Sequence, residues 1–211
     1  MNHIKLEYAA AMAFFKRISR MVLLTTVFFF VAGIIAHFIF AALYQSDPAQ
    51  LESHQQMLYS MMESKDLLDE NGQISATALF FNNFVAGGMA VVLGVVPFLF
   101  IPTVALGINA AILGMLSAMM AQTDSNAMYQ LVVAVAPHGI FELPALFICG
   151  GIGLMLCRDI SARILYRPRP MPFLTLLCEM LRLFVLMVVP LLALAAVVEA
   201  YLTPIVMQIL L

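Results

Sequence analysis

The feature that most constrains the fold is an uncharged, largely apolar run from Met21 to Leu43, introduced by the basic stretch 16–20. A helix of about 20 apolar residues crosses a bilayer core about 30 Å thick. The run is too long for the apolar region of a signal peptide and no small-residue cleavage site follows it, so we interpret it as a retained membrane anchor. Further apolar runs predict four more spans, at residues 79–96, 103–121, 127–157 and 183–202.

The composition agrees with a polytopic membrane protein. Of the 211 residues, 64% are hydrophobic and 10% are charged, whereas soluble domains average about 25% charged residues. The 10 Lys and Arg residues do not outnumber the 12 Asp and Glu residues, so we do not expect the chain to bind nucleic acid. We therefore expect an all-α fold, a bundle of five transmembrane helices surrounded by membrane lipids.

The charged residues outside the apolar runs are divided between the two ends of the predicted bundle. Because cytoplasmic loops are enriched in Lys and Arg, the division predicts a cytoplasmic N-terminus and an extracytoplasmic C-terminus. The predicted cytoplasmic side contains Lys5, Lys16, Arg17, Arg20, Arg158, Arg163, Arg167, Arg169 and Arg182. The opposite side contains Lys65 together with Asp47, Glu52, Glu63, Asp66, Asp69, Glu70 and Asp124.

This topology divides the chain into four segments. They are a basic cytoplasmic segment (1–20), the first span (21–43), an extracytoplasmic loop (44–78) and a four-helix membrane core (79–211). Apolar residues recur at roughly helical spacing in the loop, which predicts one or two helices that end at Asn71-Gly72. The loop is interpreted either as a solvated connector or as a docking surface for an extracytoplasmic partner.

The fourth apolar run is too long for a regular span and contains Pro137-His138-Gly139 and Pro144. Proline removes a backbone donor and crowds the preceding turn, so we expect a broken helix here. Broken membrane helices persist where the freed backbone groups find partners, as they do at the ion and substrate sites of transporters. If the helix continues instead, His138 and Glu142 are i, i+4 neighbours on one face.

Polar side chains inside the spans are the candidate functional residues, because an ionisable group at a helix centre costs about 2.5–3.5 kcal/mol to insert. His138 and Glu142 lie in the fourth span, and Glu199 lies near the outer end of the fifth. Their depths allow them to meet in the outer half of the bilayer. The predicted intramembrane polar cluster comprises Asn82, Asn83, Asn109, His138, Glu142, Glu199 and Thr203.

Four interpretations of His138, Glu142 and Glu199 remain open. One imidazole and two carboxylates are suitable ligands for a divalent metal ion such as zinc or manganese. The same groups can relay protons or ions, support hydrolysis at a metal-bound water, or only hydrogen-bond with one another and fix the helix packing. The chain has no HExxH, GxSxG, phosphate-binding-loop or paired-Asp motif, so we do not expect an enzyme.

Small residues recur at spacings that allow close helix crossings in lipid. They predict contacts within the bundle, with a homodimer face as the alternative. The predicted helix-packing residues are Ala86, Ala90 and Gly94 in the second span, Gly107 and Gly114 in the third, and Gly150, Gly151 and Gly153 in the fourth.

Four motifs in the expected order resemble those of the stage II sporulation protein M (SpoIIM) family. Residues 137–145, followed by the glycine run 150–154, look like its PHG-x-x-E-x-x-A signature, and residues 199–204 are similar to its E-A-x-x-T-P motif. Residues 81–83 match its N-N entry to the second span. Residues 109–114 resemble its N-G-x-x-x-G segment, with Ala110 in place of the usual glycine.

The resemblance implies a five-span protein of the cytoplasmic membrane of a bacterium or archaeon. It further implies a non-enzymatic scaffold that anchors or localises extracytoplasmic peptidoglycan hydrolases. The family's shared polar residues map onto the seven residues of the predicted polar cluster. The alternative function is a transporter or channel-like protein that binds a cation, a proton or a divalent metal ion at His138, Glu142 and Glu199.

Overall fold

The computed structural model describes residues 3–64, 75–123, 126–168 and 171–210, and this part of the chain is helical and contains no β-strand. Two π-helical segments, Phe184–Val188 and Val198–Leu202, join the last three α-helices into one rod. A 3₁₀ turn, Leu93–Val95, extends the third α-helix. In chain order, the helices are α1 (His3–Ser46), α2 (Ala49–Ser64), α3 (Ala76–Val92), α4 (Ile101–Thr123), α5 (Ala127–Ile164), α6 (Phe173–Leu183), α7 (Val189–Val197) and α8 (Thr203–Leu210).

Among the described residues, five helical stretches are long and apolar enough to cross a membrane. This finding confirms the predicted fold class, an all-α polytopic bundle of five spans. The stretches are His3–Ser46, Ala76–Val95, Ile101–Gln122, Val135–Ile164 and Phe173–Leu210.

The fourth span, α5, is the central helix of the bundle. Residues inside the protein make up 67% of its most apolar window, against 17% to 33% for the other four spans. It contacts α1, α3, α4 and α7. Because the other helices pack around α5, side chains on different faces of α5 meet different partners.

The predicted break in the fourth span is wrong, because α5 runs without interruption through Pro137, Gly139 and Pro144 for 38 residues. Each proline removes one backbone hydrogen bond, but the remaining ladder and the packing against neighbouring helices keep the backbone helical. His138 and Glu142 are consequently i, i+4 neighbours on one continuous helix, as the alternative interpretation required.

The first helix extends further toward the N-terminus than the predicted span 21–43. It begins at His3 and includes most of the predicted basic segment, because Ala11, Phe14 and Ile18 occur at helical spacing and are buried in the main core. In the predicted loop 44–78, α2 spans Ala49–Ser64, and the predicted end at Asn71-Gly72 lies outside the described residues.

The two ends of the bundle differ in charge and are named here by it. The basic end is formed by residues 3–20 of α1, the turn 96–100, residues 158–168 and residues 171–172. The acidic end is formed by residues 45–64, the start of α5 and the end of α8. Of the predicted polar cluster, His138, Glu142 and Glu199 therefore belong to the half of the bundle nearer the acidic end.

Two helix crossings depend on glycines for which a side chain has no room. A Cβ on Gly94 would overlap the backbone of Gly153 on α5, and a Cβ on Gly153 would overlap the carbonyl of Ala90. A Cβ on Gly114 of α4 would overlap the carbonyl of Gly33 on α1. Close backbone approach of this kind is how membrane helices gain packing energy in lipid.

The other small residues of the predicted packing set have different surroundings. Gly150 and Gly151 of α5 face Leu106 and Val22 closely enough that a Cβ would displace these side chains. Gly107 has ordinary contact distances, and Ala86 is exposed on α3.

Candidate functional site

His138, Glu142 and Glu199 converge in the structure. One potential ligand atom from each side chain lies within 4.8 Å of those of the other two. All three residues are partly buried. The convergence joins two positions of the central helix to a third that is more than fifty residues away in the sequence, so it depends on how the helices pack.

The central helix supplies two of the three side chains. His138 and Glu142 are separated by one helical turn of α5 and therefore share a face. His138 lies eleven residues after the start of α5 at Ala127, which corresponds to about 16 Å along the helix axis. Both side chains lie within the candidate span Val135–Ile164, near the end at which it begins.

A π-helical segment supplies the third side chain. Glu199 lies in the segment Val198–Leu202, where the N–H of Thr203 donates to the carbonyl of Val198 five residues earlier. The following residue, Pro204, has no N–H, and its ring would crowd the carbonyl four residues before it in a regular α-helix. The wider turn before Pro204 accommodates the ring, and single π turns of this kind are frequent at functional sites.

The hydroxyl of Thr203 completes this turn. Its Oγ1 atom donates to the same Val198 carbonyl at 3.2 Å, and the residue is buried. The predicted polar residue Thr203 therefore stabilises the segment that carries Glu199.

The imidazole of His138 has an unused ring nitrogen. Within the described residues, its Nδ1 atom is buried and has no hydrogen-bond partner. Buried side-chain nitrogen atoms are nearly always hydrogen-bonded in proteins, and leaving one unpaired costs about 1–3 kcal/mol. His138, a member of the convergent trio, therefore has an imidazole nitrogen available to a ligand.

The charge balance of the cluster favours a cation. Glu142 and Glu199 place two carboxyl groups close together within the membrane-spanning part of the bundle. Arg158, a basic residue of the same helix, is twenty positions from His138, or about 30 Å along the axis. A cation bound between the carboxylates would compensate their charge, which is otherwise expensive in a membrane.

The spacing of the three potential ligand atoms is close to that of a metal site. A metal ion about 2.1 Å from each ligand in tetrahedral geometry separates the ligand atoms by about 3.4 Å. The observed limit is 4.8 Å, so the side chains would have to draw closer together to hold an ion at these distances. Three protein ligands also leave a fourth position for water or another ligand.

The remaining predicted polar residues lie outside this trio. Asn82 and Asn83 are partly buried on α3, where the Asn82 amide donates to the Asn83 side-chain oxygen at 3.1 Å. The helix that carries them contacts α5 and the π segment of Glu199. Asn109 lies apart, because it is exposed on α4 and its amide donates to the carbonyl of Ala105 at 3.0 Å.

Sequence reasoning missed polar contacts that hold the bundle together elsewhere. The hydroxyl of the fully buried Thr25 of α1 is shared between two carbonyls, that of Val22 in the same helix at 2.7 Å and that of Phe147 on α5 at 3.1 Å. At the basic end, Arg163 pairs with the buried Asp159 at 2.5 Å and donates to the carbonyl of Met171 at 2.7 Å. The i, i+4 spacing of Asp159 and Arg163 was the available signal, whereas nothing in the sequence pointed to Thr25.

Comparison with known proteins identifies the family of the chain. The family model described as Stage II sporulation protein M matches residues 10–204 and so includes every residue of the trio. No curated protein and no solved structure matches the chain. The match spans most of the 211 residues, and the chain therefore belongs to the Stage II sporulation protein M family.

Proposed function

We propose that this SpoIIM-family membrane protein binds a divalent cation of the zinc or manganese type inside the bilayer, with His138, Glu142 and Glu199 as its ligands. The observation that carries the proposal is the convergence of one potential ligand atom from each residue within 4.8 Å. Imidazole and carboxylate groups both ligate these metals. The proposed function is binding, and no reaction is assigned to the site.

The unpaired nitrogen of His138 supports cation binding over a purely structural network. A network that only fixed helix packing would pair the buried imidazole nitrogen with a neighbouring group, because an unpaired atom weakens the packing it should stabilise. The buried Nδ1 atom of His138 instead has no partner among the described residues. His37 Nδ1 is likewise buried and unpaired, but of the two histidines only His138 lies in a group of potential metal ligands. The arrangement thus carries an energetic cost that a bound ligand can offset.

The proposal predicts one high-affinity site for Zn²⁺ or Mn²⁺ per chain. The test is a titration of the purified, chelator-treated protein with each metal, followed by elemental analysis after gel filtration. Removal of a direct ligand in Glu142→Gln or His138→Ala should weaken binding by at least about a hundredfold, because even groups that only orient ligands contribute ten- to a hundredfold.

The matched control is His37→Ala, which removes a histidine from α1 that is not part of the trio. This variant should bind the metal as the unchanged protein does. Equal binding by the unchanged protein and Glu142→Gln would contradict the proposal, as would equal losses in His138→Ala and His37→Ala.

A second candidate function is the anchoring of extracytoplasmic peptidoglycan hydrolases at the acidic end. The observation that favours it is a helix held against the bundle with part of its surface exposed. In α2, His54 hydrogen-bonds with the hydroxyl of Tyr44 at 3.3 Å, and Leu58 packs against the core beneath it. Tyr59 is 70% exposed on the same helix, and Met57 beside it is 43% exposed.

This anchoring role predicts that a photo-crosslinking residue in place of Tyr59 captures a peptidoglycan hydrolase in cells, as identified by mass spectrometry. The control is the same residue in place of Ser19, which is exposed at the basic end. Capture of the hydrolase from both positions, or from neither, would contradict the anchoring role without affecting the cation site.

A further inference from the structure

A pocket at the basic end is remote from the proposed cation site. Arg158, which lines this pocket, is about 30 Å along the α5 axis from His138. The pocket has a volume of about 280 Å³ and is formed by α1 and the C-terminal part of α5. Four basic side chains, Lys16, Arg17, Arg20 and Arg158, contribute to its lining, together with the buried Met155. It is thus a small cavity with an apolar base and basic walls.

The charge of this pocket is not balanced by its own lining. No carboxylate is present among the described residues that line it. On α1, Glu7 pairs with Arg182 at 2.6 Å, away from the pocket lining. Lys16, Arg17 and Arg20 place three cationic groups of α1 in a lining without a carboxylate, which favours an anion as the occupant.

The position of the pocket indicates which anion it receives. The uncharged run of α1 begins at Met21, immediately after the basic residues, and Arg158 directly follows the apolar part of α5. The pocket therefore lies at the boundary between the apolar and polar parts of the bundle. Within this uncharged run of α1, Leu23 and Leu24 are 63% and 59% exposed and offer an apolar surface to acyl chains.

We infer that this pocket binds the phosphate headgroup of an anionic phospholipid, whose acyl chains lie along the exposed apolar surface of α1. Guanidinium groups bind phosphate oxygens through paired hydrogen bonds, and Arg17 and Arg20 provide two of them. Basic pockets between membrane helices bind anionic headgroups. Free phosphate shares this headgroup chemistry, but it has no apolar part to use the adjoining surface.

The test is native mass spectrometry of the full-length protein with equal amounts of phosphatidylglycerol and phosphatidylcholine. The unchanged protein should retain one phosphatidylglycerol in preference to phosphatidylcholine by about tenfold or more. The double variant Arg17→Gln/Arg20→Gln should lose about twenty-five-fold in phosphatidylglycerol binding, at about fivefold for each basic residue removed. The single variant Arg20→Gln, which is less disruptive to folding, should lose about fivefold.

The matched control is Lys5→Gln/Arg167→Gln, which removes two charges from the same end at exposed positions outside the pocket. Its binding of phosphatidylglycerol should stay within about twofold of the unchanged protein. Equal losses in the two double variants, or equal retention of phosphatidylcholine, would overturn the inference. Displacement of phosphatidylglycerol by excess inorganic phosphate would assign the pocket to free phosphate and overturn the lipid assignment.

Discussion

At the scale of the residue, the absence of a side chain determines how closely two spans approach. Gly153 of α5 lies against the carbonyl of Ala90 and against Pro102, and Gly94 lies against Gly153 itself. Backbone atoms cannot move aside as a flexible side chain can. The crossing of α3 with α5 therefore depends on single hydrogen atoms at these positions, and the same crossing places α3 beside the central helix.

Replacement of Gly153 by alanine is expected to destabilise the protein. The added methyl group must displace backbone atoms of α3, and overpacking of this kind costs about 1–3 kcal/mol. The free energy of unfolding, measured by denaturant titration in mixed micelles, should fall by about that amount.

Gly88 provides the control for this prediction, because a Cβ built there meets nothing within 4 Å. Gly88→Ala should leave stability unchanged or raise it slightly, since alanine is favoured over glycine in a helix. A loss of stability as large in Gly88→Ala as in Gly153→Ala would show that the close crossing does not limit the packing.

At the scale of the element, the fifth span is a rod whose direction is adjusted by two π-helical segments. Each segment ends two residues before a proline, at Val188 before Val189-Pro190 and at Leu202 before Thr203-Pro204. The wider turn inserts one residue relative to a regular helix and so rotates the side chains that follow it. In the second segment, the turn contains Glu199.

Pro204→Ala is expected to weaken metal binding by about tenfold, because loss of the ring removes the steric need for the π turn that positions Glu199. The measurement is the metal titration described above. Pro190→Ala is the matched control, since its π segment carries no residue of the trio. Equal effects of the two substitutions would contradict a specific role for the second π turn.

The spans were largely predictable from sequence, whereas the site was predictable only in part. Length and hydrophobicity reveal a span because lipid imposes both. His138 and Glu142 could be identified directly because they are ionisable residues within an apolar span. The rotation that directs Glu199 toward them depends on a π turn, which the apolar pattern does not reveal. The continuity of α5 through its prolines likewise depends on tertiary packing, which overrides the local preference for a break.

At the scale of the whole molecule, charge and depth separate three regions along the bundle axis. The basic end contains the pocket formed by α1 and α5 and, next to it, the crossing of Gly94 with Gly153. The crossing of Gly114 with Gly33 lies in the apolar middle, and the trio lies toward the acidic end. The central helix α5 takes part in all three regions. A change in the tilt of α5 would therefore move residues of both proposed binding sites.

The distribution of charge predicts the orientation of the molecule in the membrane. Because cytoplasmic ends carry the excess of Lys and Arg, the basic end should face the cytoplasm. Alkaline phosphatase, which is active only outside the cytoplasm, should be active when fused after α8. A green fluorescent protein that folds only in the cytoplasm should fluoresce when fused before α1. The opposite pattern of activity and fluorescence would contradict this orientation.

The most direct test of the cation site is an anomalous-scattering difference map from crystals of the full-length protein grown with zinc or manganese. The account predicts a single strong peak about 2.0–2.2 Å from a ring nitrogen of His138 and from a carboxylate oxygen of both Glu142 and Glu199. The absence of a peak among these three side chains would contradict the account, provided that any other metal site in the same map is fully occupied.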